Sequence, residues 1–169
     1  MVLSAGLLVY RRTASDELEV LLVHMGGPFW AHKDAGAWSI PKGEYGSDED
    51  PVAAAAREFE EELGMPPPPG RTVPLGTLRQ PSGKRITAFA IEGDVDASAI
   101  RSNEFALEWP RGSGIVRSFP EVDRAAWFGL EEARTRLVGG QVPFLDLLAE
   151  ALHRAAPPGE ADLRAPDAP

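Results

Sequence analysis

The chain has 169 residues, of which 43% are hydrophobic and 25% are charged, and this composition is typical of one globular domain. Its net charge of −9 argues against a general nucleic-acid binder, and the absence of cysteine excludes disulfides and thiolate metal sites. No apolar run approaches the length of a membrane span, so we expect a cytoplasmic protein with no membrane or nucleic-acid partner.

The first part of the chain predicts a β-hairpin followed by a loop. Residues 2–10 and Leu18–Met25 are apolar and rich in strand formers, and the segment between them has turn chemistry. Residues 26–28 (GGP) end the second strand, and residues 29–36 form a loop with exposed aromatic side chains. This loop either contacts a substrate or is an ordinary surface loop.

Residues 51–63 predict a helix with one apolar face. Acidic residues 48–50 and a proline at position 51 favour a helix start, and Gly64 supplies the stop. Spacings of four, three and four residues predict a buried stripe at Val52, Ala56, Phe59 and Leu63.

A second face of this helix is acidic. Glu58, Glu61 and Glu62 are three and four residues apart, which places their carboxylates over one turn. Because like charges so close repel one another, a helix selected for stability alone would replace one of them. The cluster therefore indicates a bound cation, and carboxylate oxygens favour Mg²⁺ or Mn²⁺.

Residues 43–65 resemble the Nudix box, G-x5-E-x7-R-E-U-x-E-E-x-G-U, in which U is a bulky apolar residue. Every fixed position is present, with Phe59 and Met65 at the two U positions: Gly43, Glu49, Arg57, Glu58, Glu61, Glu62 and Gly64. The preceding W-x-x-P-K-G of residues 38–43 is similar to the strand before the catalytic loop in many Nudix enzymes. A solvated acidic face without function would not need this spacing.

The resemblance implies an α/β fold, the Nudix fold, which is an α/β/α sandwich with a mixed β-sheet. It also implies metal-dependent hydrolysis of a nucleoside diphosphate linked to another group X. The implied metal ligands are the carboxylates of Glu58, Glu61 and Glu62, one of them also a candidate general base, and the Gly43 carbonyl. Arg57 with Glu49 would form an ion pair that orients these acids.

Three residues are candidates for substrate binding. Lys42 stands beside the box and could hold a phosphate oxygen, or it could be a solvated loop lysine. Trp38 could stack a base or fill the core. Residues 73–80 and Arg85–Glu92 predict a second hairpin with positive charge at its turn, and Arg85 could reach a phosphate or serve only solubility.

The second half of the chain predicts a further strand and two helices. Residues 105–109 alternate as a strand does, and residues 129–138 and 142–155 have helical spacing. The stripe expected to be buried on the last helix is Phe144, Leu147, Leu148, Ala151 and Leu152. We expect one domain over residues 1–155 and a disordered tail over residues 156–169, which are rich in proline and acids.

Residues 119–128 resemble the acidic loop and short strand that follow in Nudix domains, where a late carboxylate often completes the metal site. Glu121 is the candidate for this ligand, ahead of Glu104 and Glu108, and the alternative is an ordinary surface acid.

The substrate could be a dinucleoside polyphosphate, a nucleoside triphosphate, a nucleotide sugar or an inositol pyrophosphate. The pattern around SAGLLVYRR, GGPFW and WSIPKGE is similar to diadenosine-polyphosphate-type members and favours the first. We expect a small-molecule nucleotide or other pyrophosphate as partner, and a monomer or homodimer.

The main alternative is a catalytically silent Nudix module that binds a nucleotide and regulates a partner, although it predicts loss of a box carboxylate and none is lost. An acidic helix that serves only as a protein interface would not need Gly43, Arg57 and Gly64 in place.

Overall fold

A mixed β-sheet of seven strands lies between helices in this computed structural model, which describes residues 2–156. The strands of the chain are β1 (Leu3–Arg12), β2 (Leu18–Met25), β3 (Trp38–Ser39), β4 (Lys42–Glu44), β5 (Val73–Arg79), β6 (Arg85–Glu92), β7 (Glu104–Glu108), β8 (Val116–Pro120) and β9 (Val122–Gly129). The helices are α1 (Pro51–Leu63), α2 (Leu130–Arg136) and α3 (Pro143–Ala155), with 3₁₀ turns at Ala97–Ala99 and Gly139–Gln141. The expected α/β class and mixed sheet are confirmed.

Strand β1 is the central strand of the sheet and is paired on both edges. One edge runs parallel to β6 from Leu3 to Tyr10, and this pairing makes the sheet mixed. The other edge is shared by two antiparallel partners, β4 at its start and β2 at its end. Strands β4 and β2 separate along this edge of β1, and Gly43, the first residue of the predicted box, pairs with Ala5 on the β4 side.

Alternation along β1 divides the core into two layers. Ala5, Leu7 and Val9 pack in the cluster that α1 covers, whereas Leu8 and Tyr10 pack in the cluster that α2 and α3 cover. The sheet is therefore buried on both faces, with α1 alone on one side.

Helix α1 has the predicted bounds and the predicted start and stop. The Asp50 side chain accepts from the Ala53 N–H at 3.0 Å, and Gly64 ends the helix with φ of 71°. The predicted stripe is only partly correct, since Phe59 and Leu63 are buried whereas Val52 and Ala56 are half-buried. Ala54 and Ala55 are the other buried apolar residues of α1. Because four alanines follow one another, the sequence does not indicate which of them face the sheet.

Helix α3 also differs in detail from its predicted stripe. Its buried residues are Phe144, Leu145 and Leu148, and the other three predicted positions are only partly buried. Leu147, Ala151 and Leu152 still pack against the core cluster, but solvent reaches part of each side chain.

Strands β7 and β8 form a separate two-stranded sheet. Residues 116–120 were not predicted as a strand because they show no apolar alternation and are largely exposed. The tail predicted to be disordered lies, beyond Ala156, outside the described residues. Within residues 2–156, no helix is both long and apolar enough to cross a membrane.

Candidate active site

Helix α1 and strand β4 face each other across the predicted site. The Lys42 N–H donates to Oε2 of Glu62 at 3.0 Å. Gly43 packs so closely on Glu58 that a Cβ at this position would overlap the carboxylate. The glycine of the box is therefore required for space, because any larger residue would displace one of the acids.

Burial sets the electrostatics of Glu62. Only 9% of the residue is exposed, and this burial raises the pKa of Glu62 to about 8. The charge and the N–H of Lys42 oppose the shift, while the negative charges of Glu121 and Glu58 add to it. A carboxyl in these surroundings binds a proton near neutral pH unless another cation takes the proton's place.

Arg57 gathers the remaining acids of the box. Its Nε and Nη2 donate to the two carboxylate oxygens of Glu49 at 3.1 and 3.2 Å, which is the bidentate geometry expected for this pair. Its Nη1 donates to Glu58 at 2.6 Å and to Glu61 at 3.3 Å. The bonds to Glu49, then Glu58, raise the pKa of Arg57. The guanidinium thus orients three carboxylates at once.

The three helix acids differ in their surroundings. Glu58 is 8% exposed, and burial raises its pKa although the bond from Arg57 opposes this. The Glu61 side chain is 41% exposed and pairs with Arg57. The helix therefore presents two buried acids, Glu58 and Glu62, and one that solvent reaches.

Glu121 lies at the base of the β7–β8 hairpin. Burial is the main cause of the raised pKa values of Glu58 and Glu62, and the negative charge of Glu121 adds to both shifts. Its N–H donates to the Asn103 carbonyl at 2.8 Å, and the Asn103 N–H donates to the Glu61 carbonyl at 3.1 Å. This chain of backbone bonds ties the hairpin to the last turn of α1.

The other two acids considered for this position make local bonds on the hairpin. Glu104 accepts from the Ser118 hydroxyl, and Glu108 accepts from the Gly114 N–H. These bonds hold the Glu104 and Glu108 side chains on the hairpin, and Glu121 as the late carboxylate of the site stays a prediction.

The residues fit a divalent cation in the chemistry of their donors. Carboxylate oxygens of Glu58, Glu61, Glu62 and Glu121 would hold it, together with the Gly43 carbonyl. Within residues 2–156, no three Asp, Glu or His side chains already stand as a metal-binding group. In this arrangement Glu58 and Glu61 both accept from the Arg57 guanidinium.

Trp38, a candidate for base stacking, lies in the core. It is 3% exposed, its indole N–H donates to Asp34 at 2.8 Å, and its ring lies edge-on to His24 and Phe128. This position favours the packing interpretation over the stacking one.

The positive candidates lie nearer to the surface. Arg85 is exposed, and it shares one face of β6 with Phe89 and Ile91, which pack on the α1 side of the sheet. Within the described residues Arg85 makes no side-chain ion pair, whereas Lys84 pairs with Glu44 at 3.0 Å. Arg85 is thus on the same face of the sheet as the acids and is available to an anion.

Phe29 and Trp109 form an aromatic pair, of which Phe29 is exposed and Trp109 is half-buried. Phe29 is 47% exposed, its ring lies edge-on to Trp109 at 5.2 Å, and the Arg111 guanidinium lies over it at 5.7 Å. No local sequence signal indicates that Trp109 and Arg111, which follow β7, reach the loop of residues 29–36.

On a mixed sheet, the arginine and the first glycine of the box contact Glu58, and Glu62 lies buried on the next turn of α1, an arrangement that defines the class of protein. A comparison with protein-family models matches the NUDIX domain over residues 2–148. The chain belongs to the Nudix family and is a Nudix-type pyrophosphohydrolase, a class of enzyme that generally uses divalent metals.

Solved structures agree with this fold. A mutT/nudix family protein from Listeria innocua is 19% identical with a TM-score of 0.60, covering 91% of this chain and 95% of that one. The Nudix domain of Shewanella oneidensis NrtR complexed with ADP ribose is 18% identical with a TM-score of 0.59, covering 92% and 89%. A C. elegans Ap4A hydrolase binary complex is 19% identical with a TM-score of 0.57, covering 91% and 99%. At such identities these structures establish the fold alone. A comparison with curated proteins gave no significant match.

Proposed function

We propose that this protein hydrolyses a pyrophosphate bond in a nucleoside diphosphate linked to a group X, with Mg²⁺ or Mn²⁺ held by the box acids. One observation carries the proposal: two carboxylates, Glu58 and Glu62, are buried against the backbone of Lys42 and Gly43. Burying two neighbouring acids costs stability, and a bound cation offsets this cost.

The metal would supply charge neutralisation at the pyrophosphate and lower the pKa of an attacking water. The protein's own part is to hold and orient. Arg57 keeps Glu49, Glu58 and Glu61 in place, and one of the helix acids takes the proton of the water. Lys42 and Arg85 are the proposed contacts for phosphate oxygens.

We propose a dinucleoside polyphosphate as substrate. The exposed ring of Phe29, with the half-buried Trp109 and Arg111 beside it, suits a nucleobase. The hairpin that carries Trp109 near its tip begins and ends beside Glu121, and we propose that base and pyrophosphate bind along it. One structural neighbour is an Ap4A hydrolase, and its fold is compatible with this substrate. We expect the active species to be a monomer or homodimer.

The second candidate function is a silent module that binds a nucleotide and regulates a partner. A structural neighbour, the Nudix domain of NrtR, was crystallised with ADP ribose, so ligand binding on this fold is documented for that protein. In the present chain every acid of the box is retained, and this favours catalysis.

The test is a screen of dinucleoside polyphosphates, nucleoside triphosphates, nucleotide sugars and inositol pyrophosphates with metal-stripped protein. Nucleotide or phosphate release should require added Mg²⁺ or Mn²⁺ and should be abolished by excess chelator, and Zn²⁺ should be a poor substitute. The variant Glu62→Gln, purified in the same way, controls for contaminating hydrolases. Full turnover by metal-stripped protein in chelator would exclude the mechanism, and nucleotide binding without turnover would support the silent module.

A further inference from the structure

The backbone of residues 40–44 forms a wall opposite the acids of α1. Three bonds hold this wall in place: the Leu7 N–H to the Pro41 carbonyl at 3.0 Å, the Lys42 N–H to Glu62 at 3.0 Å, and Arg57 Nη2 to the Glu44 carbonyl at 3.3 Å. The position of the proposed ligand carbonyl, that of Gly43, depends on how this wall is anchored.

The wall begins at Ile40, where the chain leaves β3 and crosses to β4. At this crossing the Ile40 N–H donates to a side chain, Oε1 of Gln141, at 2.9 Å. Ile40 is fully buried and Gln141 is 2% exposed, so water is excluded from the bond. Buried backbone N–H groups are nearly always paired, and here the partner comes from 101 residues further along the chain.

Gln141 also holds the residue before the crossing. Its Nε2 donates to the Ser39 hydroxyl at 3.0 Å, and that hydroxyl donates to the Ile40 carbonyl at 2.8 Å. The amide therefore fixes both the N–H and the carbonyl of Ile40, directly and through Ser39. A planar amide with one acceptor and one donor in use is matched to this task.

We propose that Gln141 is a positioning residue of the active site. Through Ser39 and Ile40 it sets the position of Lys42 and Gly43 against Glu62 and Glu58. Its effect on turnover rests on the hydrolase function proposed above, whereas its effect on backbone order does not.

The main test is Gln141→Met, which keeps the length of the side chain and removes the acceptor. In metal-free protein, amide hydrogen exchange at Ile40 and Lys42 should become about tenfold faster. In the assay kcat should fall about tenfold to a hundredfold with KM changed by less than about threefold, because small displacements of aligned groups reduce the rate more than binding. Should Gln141→Met fail to fold, Gln141→Asn replaces it, since the shorter amide cannot reach Ile40.

Gln80 offers a matched control. Its Nε2 donates to the Gly140 carbonyl at 2.9 Å, so it supports the same 3₁₀ turn, and among the described residues it makes no hydrogen bond to residues 39–43. Gln80→Met should lower the melting temperature to a similar extent and leave kcat within about twofold of wild type.

The variant Gln141→Glu provides a rescue. Near pH 6 burial keeps its carboxyl neutral, so its carbonyl accepts from Ile40 and its hydroxyl donates to Ser39. Its kcat should return to within about threefold of wild type.

Two results would overturn the proposal: wild-type exchange rates at Ile40 and Lys42 in Gln141→Met, or equal loss of kcat in Gln141→Met and Gln80→Met. If the wild-type protein hydrolyses none of the compounds, the proposed function fails, and the exchange rates still decide whether Gln141 positions the wall.

Discussion

Helices α1 and α3 have the same length, 13 residues, and both begin with proline, but they bury different chemistry. Helix α3 packs Phe144, Leu145 and Leu148 on one face of the sheet. Helix α1 packs apolar residues on the other face and also buries the carboxylates of Glu58 and Glu62. The buried side chains of α3 are thus all apolar, whereas α1 also buries two carboxylates, which lowers its contribution to stability and supplies the candidate site.

The ends of the two helices fit this difference. Helix α1 has a side-chain cap at Asp50 and a left-handed glycine stop at Gly64, whereas α3 has no side-chain hydrogen bond at its start. A side-chain cap contributes about 1 kcal/mol. Capping therefore helps to stabilise α1, which buries two carboxylates. Helix α3 forms without a side-chain cap because its packing is apolar.

The largest effect is expected from Glu62→Gln, which removes the buried charge but keeps an oxygen for the Lys42 N–H. Turnover should fall by about three orders of magnitude, because a metal ligand that acts on transition-state charge is lost. Saturating Mg²⁺ should stabilise wild type by about 2.7 kcal/mol at a hundredfold excess over Kd and the variant by less. Hydrolysis assays and thermal melts with and without Mg²⁺ measure both effects. An equal metal-induced shift in the two proteins would remove Glu62 from the metal site.

Substitution of one buried leucine in each helix compares the roles of the two helices directly. Leu63 on α1 and Leu148 on α3 are both fully buried, and each change to alanine should lower the unfolding free energy by about 2–5 kcal/mol. Only Leu63→Ala should also lower kcat per folded molecule, since Leu63 is next to Glu62. Chemical denaturation and active-site-normalised kinetics provide the comparison. Equal kcat in the two variants would show that packing under α1 does not control the acids.

Arg57→Lys should lower turnover by about tenfold to a hundredfold with less effect on stability. Lysine keeps the charge but loses the planar fork that holds Glu49 on one side and Glu58 on the other. Arg136→Lys on α2 is the control, because Arg136 also joins two acids, Glu132 and Asp34, on the opposite face of the sheet. Steady-state kinetics of both variants test the prediction, and unchanged turnover in Arg57→Lys would show that this ion pair does not orient the acids.

The smallest effect is a pH dependence of the metal-free protein. Burial raises the pKa of Glu62 to about 8, against an ordinary value of 4.5 in the unfolded chain. Between these values the folded state holds a proton that the unfolded state has released, so stability falls as pH rises. Compared with Glu62→Gln, wild type should lose on the order of 1–3 kcal/mol between pH 5 and pH 9. Identical pH profiles of melting temperature in the two proteins would contradict the shift.

Helix α1 and the hairpins next to it could be predicted from the sequence because their signals are local. The acids before Pro51, the stop at Gly64 and the spacing of the glutamates act within a few residues, and the bounds of α1 were correct. The motif also identified the family, since each of its fixed positions has a role inside one loop and one helix.

The alanine run and the β7–β8 hairpin could not be predicted with the same accuracy. Four consecutive alanines carry no difference in size that would orient α1 on the sheet. Strand β8 is largely exposed, so its residues show no apolar period.

What the sequence by itself determined is therefore the chemistry of the site: which acids lie on one helix, and which glycine and arginine stand beside them. Only the tertiary structure decided that Glu58 and Glu62 are buried while Glu61 is not, and that Trp38 lies in the core. It also decided that Gln141, 101 residues from Ile40, supports the wall opposite these acids. The physical reason is that burial and long-range hydrogen bonds depend on which segments pack together across the sheet. The spacing of residues within one segment does not indicate which distant segments it will contact.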